Sequence, residues 1–200
     1  MQQEIEVKFL DVKVDDIRAK LHALGAHCEH PMRLMRRVHF DYPDHRFQKS
    51  GHDQRLRVRD EANKITVTYK KKNETNYTYE VETTVGSFDE MINILKAIGL
   101  DDFSYQESKR ETWQCDNVEV VIDEWPWLNP YIEIEGPDEV SIQAVAKKLG
   151  FEWKDARFGS VDTGYRHQYP GMKKGDSVGD LPEVKFDMPL PQYFINRQKA

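Results

Sequence analysis

Hydrophobic and charged residues alternate one for one in stretch after stretch of this chain. Ile5, Val7 and Phe9 fall on one side of an extended segment, and Glu4, Glu6 and Lys8 on the other. Leu56 and Val58 oppose Arg55, Arg57 and Arg59, and Ile65, Val67 and Tyr69 oppose Thr66, Thr68 and Lys70. Tyr79 and Val81 oppose Glu80 and Glu82, Val120 and Ile122 oppose Val121 and Asp123, and Ile132 and Ile134 oppose Glu133 and Glu135. A period of two predicts strands with one apolar and one polar face.

Three other segments carry the helical period. The first, about Asp15 to Leu24, aligns Ile17, Leu21 and Leu24 and stops at Gly25. The second opens on Ser87 with Glu90 three residues on, a capping box, then sets Met91, Ile92, Leu95 and Ile98 in a stripe before Gly99. The third carries Val140, Val145 and Leu149 before Gly150. From Gly171 the pattern gives way to Lys, Gly, Asp and Pro, which predicts an extended, partly mobile tail docked through Tyr193, Phe194 and Ile195. Strand runs broken by few helices predict an α+β protein with a largely antiparallel sheet, a domain over residues 1–170 and a tail over 171–200.

Composition narrows the setting. Hydrophobic residues at 38% and charged residues at 32% fit a soluble domain. No apolar run approaches the roughly 20 residues of a membrane span. Met1 to Phe9 mixes acids and bases where a secretion signal needs an apolar core. Cys28 and Cys115 stand alone, so a reducing, cytoplasmic setting is expected. A net charge of −6 argues against a nucleic-acid partner while allowing a local basic pocket.

Candidate chemistry lies on the polar faces. Glu4, Glu6, Glu80, Glu82, Asp123, Glu133 and Glu135 are acidic; Lys8, Arg55, Arg57, Arg59, Lys70 and Arg110 are basic. A solvated sheet face with cross-strand pairs worth under about 1 kcal/mol accounts for any one strand, but less well for all of them together. If the sheet closes with helices outside, these faces point inward, and a lumen of ionised groups holds water, metal and a charged ligand. The i, i+2 pairs Glu4/Glu6 and Glu133/Glu135 offer hard oxygens suited to Mg²⁺ or Mn²⁺. Arg57, Arg59, Arg110, Lys8 and Lys70 offer donors to phosphate oxygens. The combination points to a polyphosphate bound with metal. His27-Cys28-Glu29-His30 has no second ligand pair and is read as surface. Lys72 points with Lys70 along the charged face while Lys71 is solvated, and Trp125 and Trp127 are read as packing, with stacking on a ligand ring as the alternative.

Glu4-Ile5-Glu6-Val7-Lys8 resembles the ExExK signature of the CYTH superfamily, the triphosphate tunnel metalloenzymes. Leu56-Arg57-Val58-Arg59 is similar to the family's LRxR strand, Thr68-Tyr69-Lys70 to its TxK strand, and Tyr79-Glu80-Val81-Glu82 to the acidic strand that follows. Lys109-Arg110 resembles its second basic strand, and Asp123 through Pro126 into Ile132-Glu133-Ile134-Glu135-Gly136 its closing segment. The resemblance spans roughly residues 1–170 and implies an eight-stranded antiparallel β-barrel, or tunnel, with helices outside. It implies Glu4, Glu6, Asp123, Glu133 and Glu135 as holders of two Mg²⁺ or Mn²⁺ ions, and Lys8, Arg57, Arg59, Lys70 and Arg110 as holders of a triphosphate. Glu4, Glu6 and Lys8 become the candidate catalytic residues. Glu80 and Glu82 are candidates to fix neighbouring bases, Arg55 lies near the barrel mouth, and Arg157, Arg166 or Lys173 is the late basic residue of the cradle. Trp127-Leu128-Asn129-Pro130 departs from the glycine-containing turn the family often has there. The implied function is metal-dependent hydrolysis of a triphosphate-containing small molecule. The alternatives are a class IV adenylyl cyclase, a thiamine triphosphatase and a non-catalytic binding module; a homodimer stays open.

Overall fold

The computed structural model describes residues 5–50, 54–72 and 78–198. The first half of the chain forms β1 (Ile5–Phe9), α1 (Val14–Ala23), β2 (His27–Asp41), α2 (Arg46–Lys49), β3 (Gln54–Asp60), β4 (Ile65–Lys72), β5 (Thr78–Thr84) and α3 (Phe88–Ala97). The second half forms β6 (Asp101–Cys115), β7 (Val118–Trp125), β8 (Leu128–Gly136), α4 (Glu139–Lys148), α5 (Asp162–Gln168), β9 (Glu183–Val184) and α6 (Gln192–Ile195). The strands hydrogen-bond in the order β1-β8-β7-β6-β2-β3-β4-β5, with β9 parallel to β6. The ladders of β1 with β8, β8 with β7, β7 with β6, β2 with β3, β3 with β4 and β4 with β5 are antiparallel. This is the α+β class expected. Among the described residues β1 and β5 end the series, with no ladder between them.

The chain divides into two compact units, one of residues 1–33, 108–176 and 186–200, the other of residues 34–107 and 177–185. In the first unit, Val7 and Phe9 of β1 join Val120 and Ile122 of β7 and Ile132 and Ile134 of β8 in one core. Ile17 and Leu21 of α1 and Ile142, Val145, Ala146 and Leu149 of α4 cover it. Each large aliphatic side chain so buried contributes about 1.5–3 kcal/mol. In the second unit, Val38 and Phe40 of β2 and Val58 of β3 pack beneath Phe88 and Leu95 of α3.

The three helix exits read from sequence share one geometry. Gly25, Gly99 and Gly150 all have positive φ, and the next amide in each case reaches back to close the helix: Ala26 to the Leu21 carbonyl, Leu100 to Leu95, Phe151 to Ala146. Only glycine adopts that αL corner without steric cost. Of the capping box read at Ser87 the forward half is present, Ser87 accepting from the Glu90 amide, and Asp138, which was not singled out from sequence, caps α4 by accepting from the Ser141 amide.

Some facings differ from expectation. Ile98 is 70% exposed, because α3 ends before it and Leu100 takes the inward place. Val140 is 78% exposed, off the i, i+3, i+4, i+7 stripe that Ile142, Val145, Ala146 and Leu149 define. Tyr79 and Val81 are exposed as well, because β5 ends the strand series beyond the side chains that α3 covers.

Residues 171–198 form short turns of helix and one short strand. Val178 and Val184 are buried in the second unit, and Met172 and Phe194 in the first. The Phe194 ring stacks on Tyr165 at 5.0 Å and lies 5.8 Å from Trp127. Trp127 turns the β7–β8 hairpin at φ 60°, a strained position for a large residue. Its carbonyl accepts from Tyr169 Oη at 2.5 Å and Gln168 Nε2 at 2.9 Å, and its indole donates to the Met188 carbonyl at 2.9 Å. These contacts offset a backbone cost of about 1 kcal/mol. No helix among the described residues is long and apolar enough to cross a membrane.

Candidate functional site

In the first unit, register decides which charges meet. Glu6 of β1 stands opposite Glu135 of β8, which stands opposite Glu119 of β7. One row on, Lys8 faces Glu133. Beyond that, Asp123 of β7 faces Arg110 of β6. These side chains share the face opposite the core, because Val7, Val120, Ile122, Ile132 and Ile134 turn inward.

Lys8 is only 2% exposed and is ion-paired with Glu6 and, at 3.0 Å, with Glu133. Burial opposes its charge, but the two carboxylates outweigh that and hold its pKa above the ordinary lysine value. Arg110 grips Asp123 with two nitrogens, at 2.7 and 2.5 Å, and reaches Glu133 at 2.7 Å. Burial again opposes the charge, and Asp123 and Glu133 push the guanidinium well above its usual range. Glu119 goes the other way: burial raises its pKa, and Glu29 and Glu133 add to this against Arg110 and Arg33. The sequence reading passed over Glu119, though its place two and four residues before Val121 and Asp123 puts it on their face. Glu4 lies outside the described residues.

In the second unit the balance is reversed. Arg55, Arg57 and Arg59 project from β3 opposite Lys70, Thr68 and Thr66 of β4. On the other flank His39 of β2 stands opposite Arg57, and Arg37 opposite Arg59. Neither β2 residue was singled out from sequence; the signal was the alternation of Arg37 and His39 with Val38 and Phe40. Lys70 pairs with Glu80 at 2.6 Å, Arg59 pairs with Glu61, and Thr68 donates to Glu82 at 2.6 Å. The Nε atoms of Arg57 and Arg59 and the Thr66 hydroxyl are buried without a hydrogen-bond partner. Burial, then Arg59, Arg37 and Arg55, push the Arg57 pKa down to about 9. Burial and the same arginine cluster push His39 down to about 3, so its ring is neutral at physiological pH. Glu82 stays below the ordinary carboxylate value, since Thr68, Arg59, Arg57 and Lys64 outweigh its burial.

The remaining candidates lie as follows. Arg157 bridges Lys8 through its backbone, and its guanidinium donates to the Lys154 and Ala156 carbonyls. Arg166 lies on α5 and reaches the Asp176 carbonyl at 3.4 Å. The Lys173 amide donates to Asp176. Lys72 lies at the end of β4, described in its backbone alone. Trp125 is buried and Trp127 is held in the hairpin packing. Glu111, on the core side of β6, is held by Arg18 at 2.8 Å and by the Trp113 indole at 2.7 Å.

The carboxylates of the first unit suit a hard divalent cation in kind, being oxygens on neighbouring strands of one face. Among the described residues, however, no three Asp, Glu, His or Cys side chains converge as a ligand group. Lys8 and Arg110 hold Glu6, Glu133 and Asp123 instead, as internal counter-ions.

The family model of the CYTH domain matches residues 2–162, and the chain belongs to the CYTH family. No curated protein matches it. Among solved structures, the PH1012 protein of Pyrococcus horikoshii OT3 is similar at 26% identity over 78% of this chain and 94% of that one, with a TM-score of 0.60. A candidate adenylate cyclase from Vibrio parahaemolyticus shares the fold at 15% identity, over 82% and 98% of the two chains, with a TM-score of 0.67. The candidate adenylyl cyclase HpAC1 from Hippeastrum shares it at 13% identity, over 87% and 99%, with a TM-score of 0.57.

Proposed function

We propose that this CYTH protein hydrolyses a triphosphate, inorganic or carried on a small molecule, with Mg²⁺ or Mn²⁺. The observation that carries the reading is the buried, unpartnered Nε atoms of Arg57 and Arg59. Buried donors without acceptors are costly, and an anion is what satisfies them. In this reading Arg57, Arg59 and Lys70 grip phosphoryl oxygens, arginine with two donors at once. Glu6, Asp123, Glu133 and Glu135, with Glu4, are the metal ligands. The cation supplies, when bound, a Lewis acid for phosphate oxygens and for the attacking water. Lys8 pairs with Glu6 and Glu133 and Arg110 with Asp123 and Glu133, and both would remain as cations to offset charge on the phosphoryl group in the transition state.

An adenylyl cyclase is the second reading. The Hippeastrum protein is named as a candidate cyclase and has a dominant triphosphatase activity. A cyclase or a thiamine triphosphatase needs a ring-binding surface, and the Trp127 contacts to Phe194 and Met188 tie up the side chain that best suited that role. That favours the hydrolase. Turnover of inorganic tripolyphosphate, ATP and thiamine triphosphate, each with Mg²⁺ and with Mn²⁺, tests it. Phosphate release without cyclic AMP is expected; cyclic AMP with pyrophosphate from ATP would replace the hydrolase by the cyclase.

A further inference from the structure

The cationic face of the second unit extends beyond the Leu56-to-Arg59 strand onto β2. Val38 and Phe40 are buried beside Val58, so Arg37 and His39 project with Arg57 and Arg59. Register sorts them into two rows. Arg37 stands opposite Arg59, with Thr66 next; His39 stands opposite Arg57, with Thr68 next. Like charges directly opposite on neighbouring strands repel. Nearby acids hold other members of this face: Glu61 takes Arg59 through Nη2, Glu80 takes Lys70, and Glu82 accepts from Thr68. The Arg59 and Arg57 Nε atoms and the Thr66 hydroxyl keep unfilled, buried hydrogen-bonding capacity in both rows.

The rows differ in charge. The first carries two guanidiniums. The second carries one, beside a neutral His39 ring that bonds to Gln106. A linear triphosphate has a matching asymmetry: near neutral pH an end phosphoryl group, the single free end of one carried on a small molecule or either end of the inorganic ion, carries about 1.5 to 2 charges, and an inner one carries one. We propose that Arg37 is a phosphate-binding residue and that Arg37 and Arg59 together take the doubly ionised terminal phosphoryl group, leaving Arg57 for an inner one. This rests on the triphosphate reading above and adds to it a residue and a direction for the chain of phosphates.

Calorimetric titration without metal tests it, with two probes: linear tripolyphosphate and cyclic trimetaphosphate, which has three phosphoryl groups and no terminal one. Arg37→Gln is expected to weaken the linear ion by about tenfold to a hundredfold, the range for charge-assisted hydrogen bonds lost. It should leave the cyclic ion within about twofold. Arg36→Gln, on the opposite side of β2 where Arg36 pairs with Asp60 and lies over Phe88, should leave both affinities as they are. Without anion, the melt of Arg37→Gln serves as the folding control. Equal weakening of both ions overturns the terminal assignment, and unchanged affinity for the linear ion overturns the role of Arg37. A wild type that binds only the linear ion supports the terminal assignment, and its weakening in Arg37→Gln then supports the role of Arg37. A wild type that binds neither ion overturns the triphosphate reading itself.

Discussion

The two units solve opposite electrostatic problems. On the polar face of the first, carboxylates clamp Lys8 and Arg110: Lys8 between Glu6 and Glu133, Arg110 between Asp123 and Glu133. On the polar face of the second, guanidiniums stand opposite one another and buried Nε atoms go unmet. The first face sets five described carboxylates, Glu6, Glu119, Asp123, Glu133 and Glu135, against Lys8 and Arg110, and in the proposed reading a divalent cation would replace an internal one. The second crowds guanidiniums together, and in the proposed reading an anion relieves that. Both are arrangements of alternating strands, so the difference lies in which residue types were placed on the polar parity. A face built to bind carries its unfavourable energy in the free state.

The largest expected effect breaks the comparison from the acidic side. Glu135→Gln should lower turnover at least about a thousandfold in Mg²⁺ and in Mn²⁺, with an unchanged circular dichroism spectrum. Turnover above a tenth of wild type would remove that face from metal binding.

From the basic side, Arg57→Ala should weaken tripolyphosphate binding by about a hundredfold and Arg55→Ala by no more than about fivefold. Arg57 is half-buried with a buried, unpartnered Nε, whereas Arg55 is exposed. Equal losses in the two titrations would contradict the asymmetry within β3.

Acid stability sharpens the contrast at smaller amplitude. The unfolded chain protonates histidine near 6.5, whereas folded His39 resists protonation down to about 3. Between those values the unfolded state binds more protons, so folding stability falls as pH drops from about 6.5. His39→Gln should flatten that slope in denaturant melts of the anion-free protein. A slope identical to wild type would mean that His39 is not held neutral by burial and the arginines.

The smallest effect is a control on the core side of the first unit. Burial works against the Glu111 charge, but Arg18 and the Trp113 indole hold its pKa below the ordinary value. Its contribution is therefore complete above the unfolded carboxylate pKa and fades as pH falls through the lower folded one. Arg18 is 35% exposed and partly screened, so Glu111→Gln should cost on the order of 1 kcal/mol at pH 7, a difference that closes in acid. Affinity for tripolyphosphate should not move; a change in affinity would show that the two sides of the sheet are coupled.

Much of this architecture could be read along the chain. The period of two in Ile5–Phe9 and Ile132–Gly136 follows from the pleat alone, and the helix exits at Gly25, Gly99 and Gly150 follow from glycine's freedom at positive φ. β2 was not legible in the same way. It runs from His27 to Asp41, and its first half, His27-Cys28-Glu29-His30-Pro31, has no clean alternation, so Arg37 and His39 were missed. Glu119 was missed because a lone glutamate before Val120 looks like surface until its neighbours across the sheet are known.

Alternation along one strand is a local property, and covalent geometry sets it residue by residue. It therefore decided which side chains share a face, and with the signature residues it placed the chain in its family. Register, partner choice and burial are non-local. That Arg110 closes on Asp123 and Glu133, that Arg37 confronts Arg59, and that Phe194 docks on Tyr165 depend on strands and turns distant in sequence coming together. One step of slip would turn every such side chain to the other face. Tertiary packing decided those meetings, because the burial of the opposite, apolar face fixes the register from which the charges cannot escape.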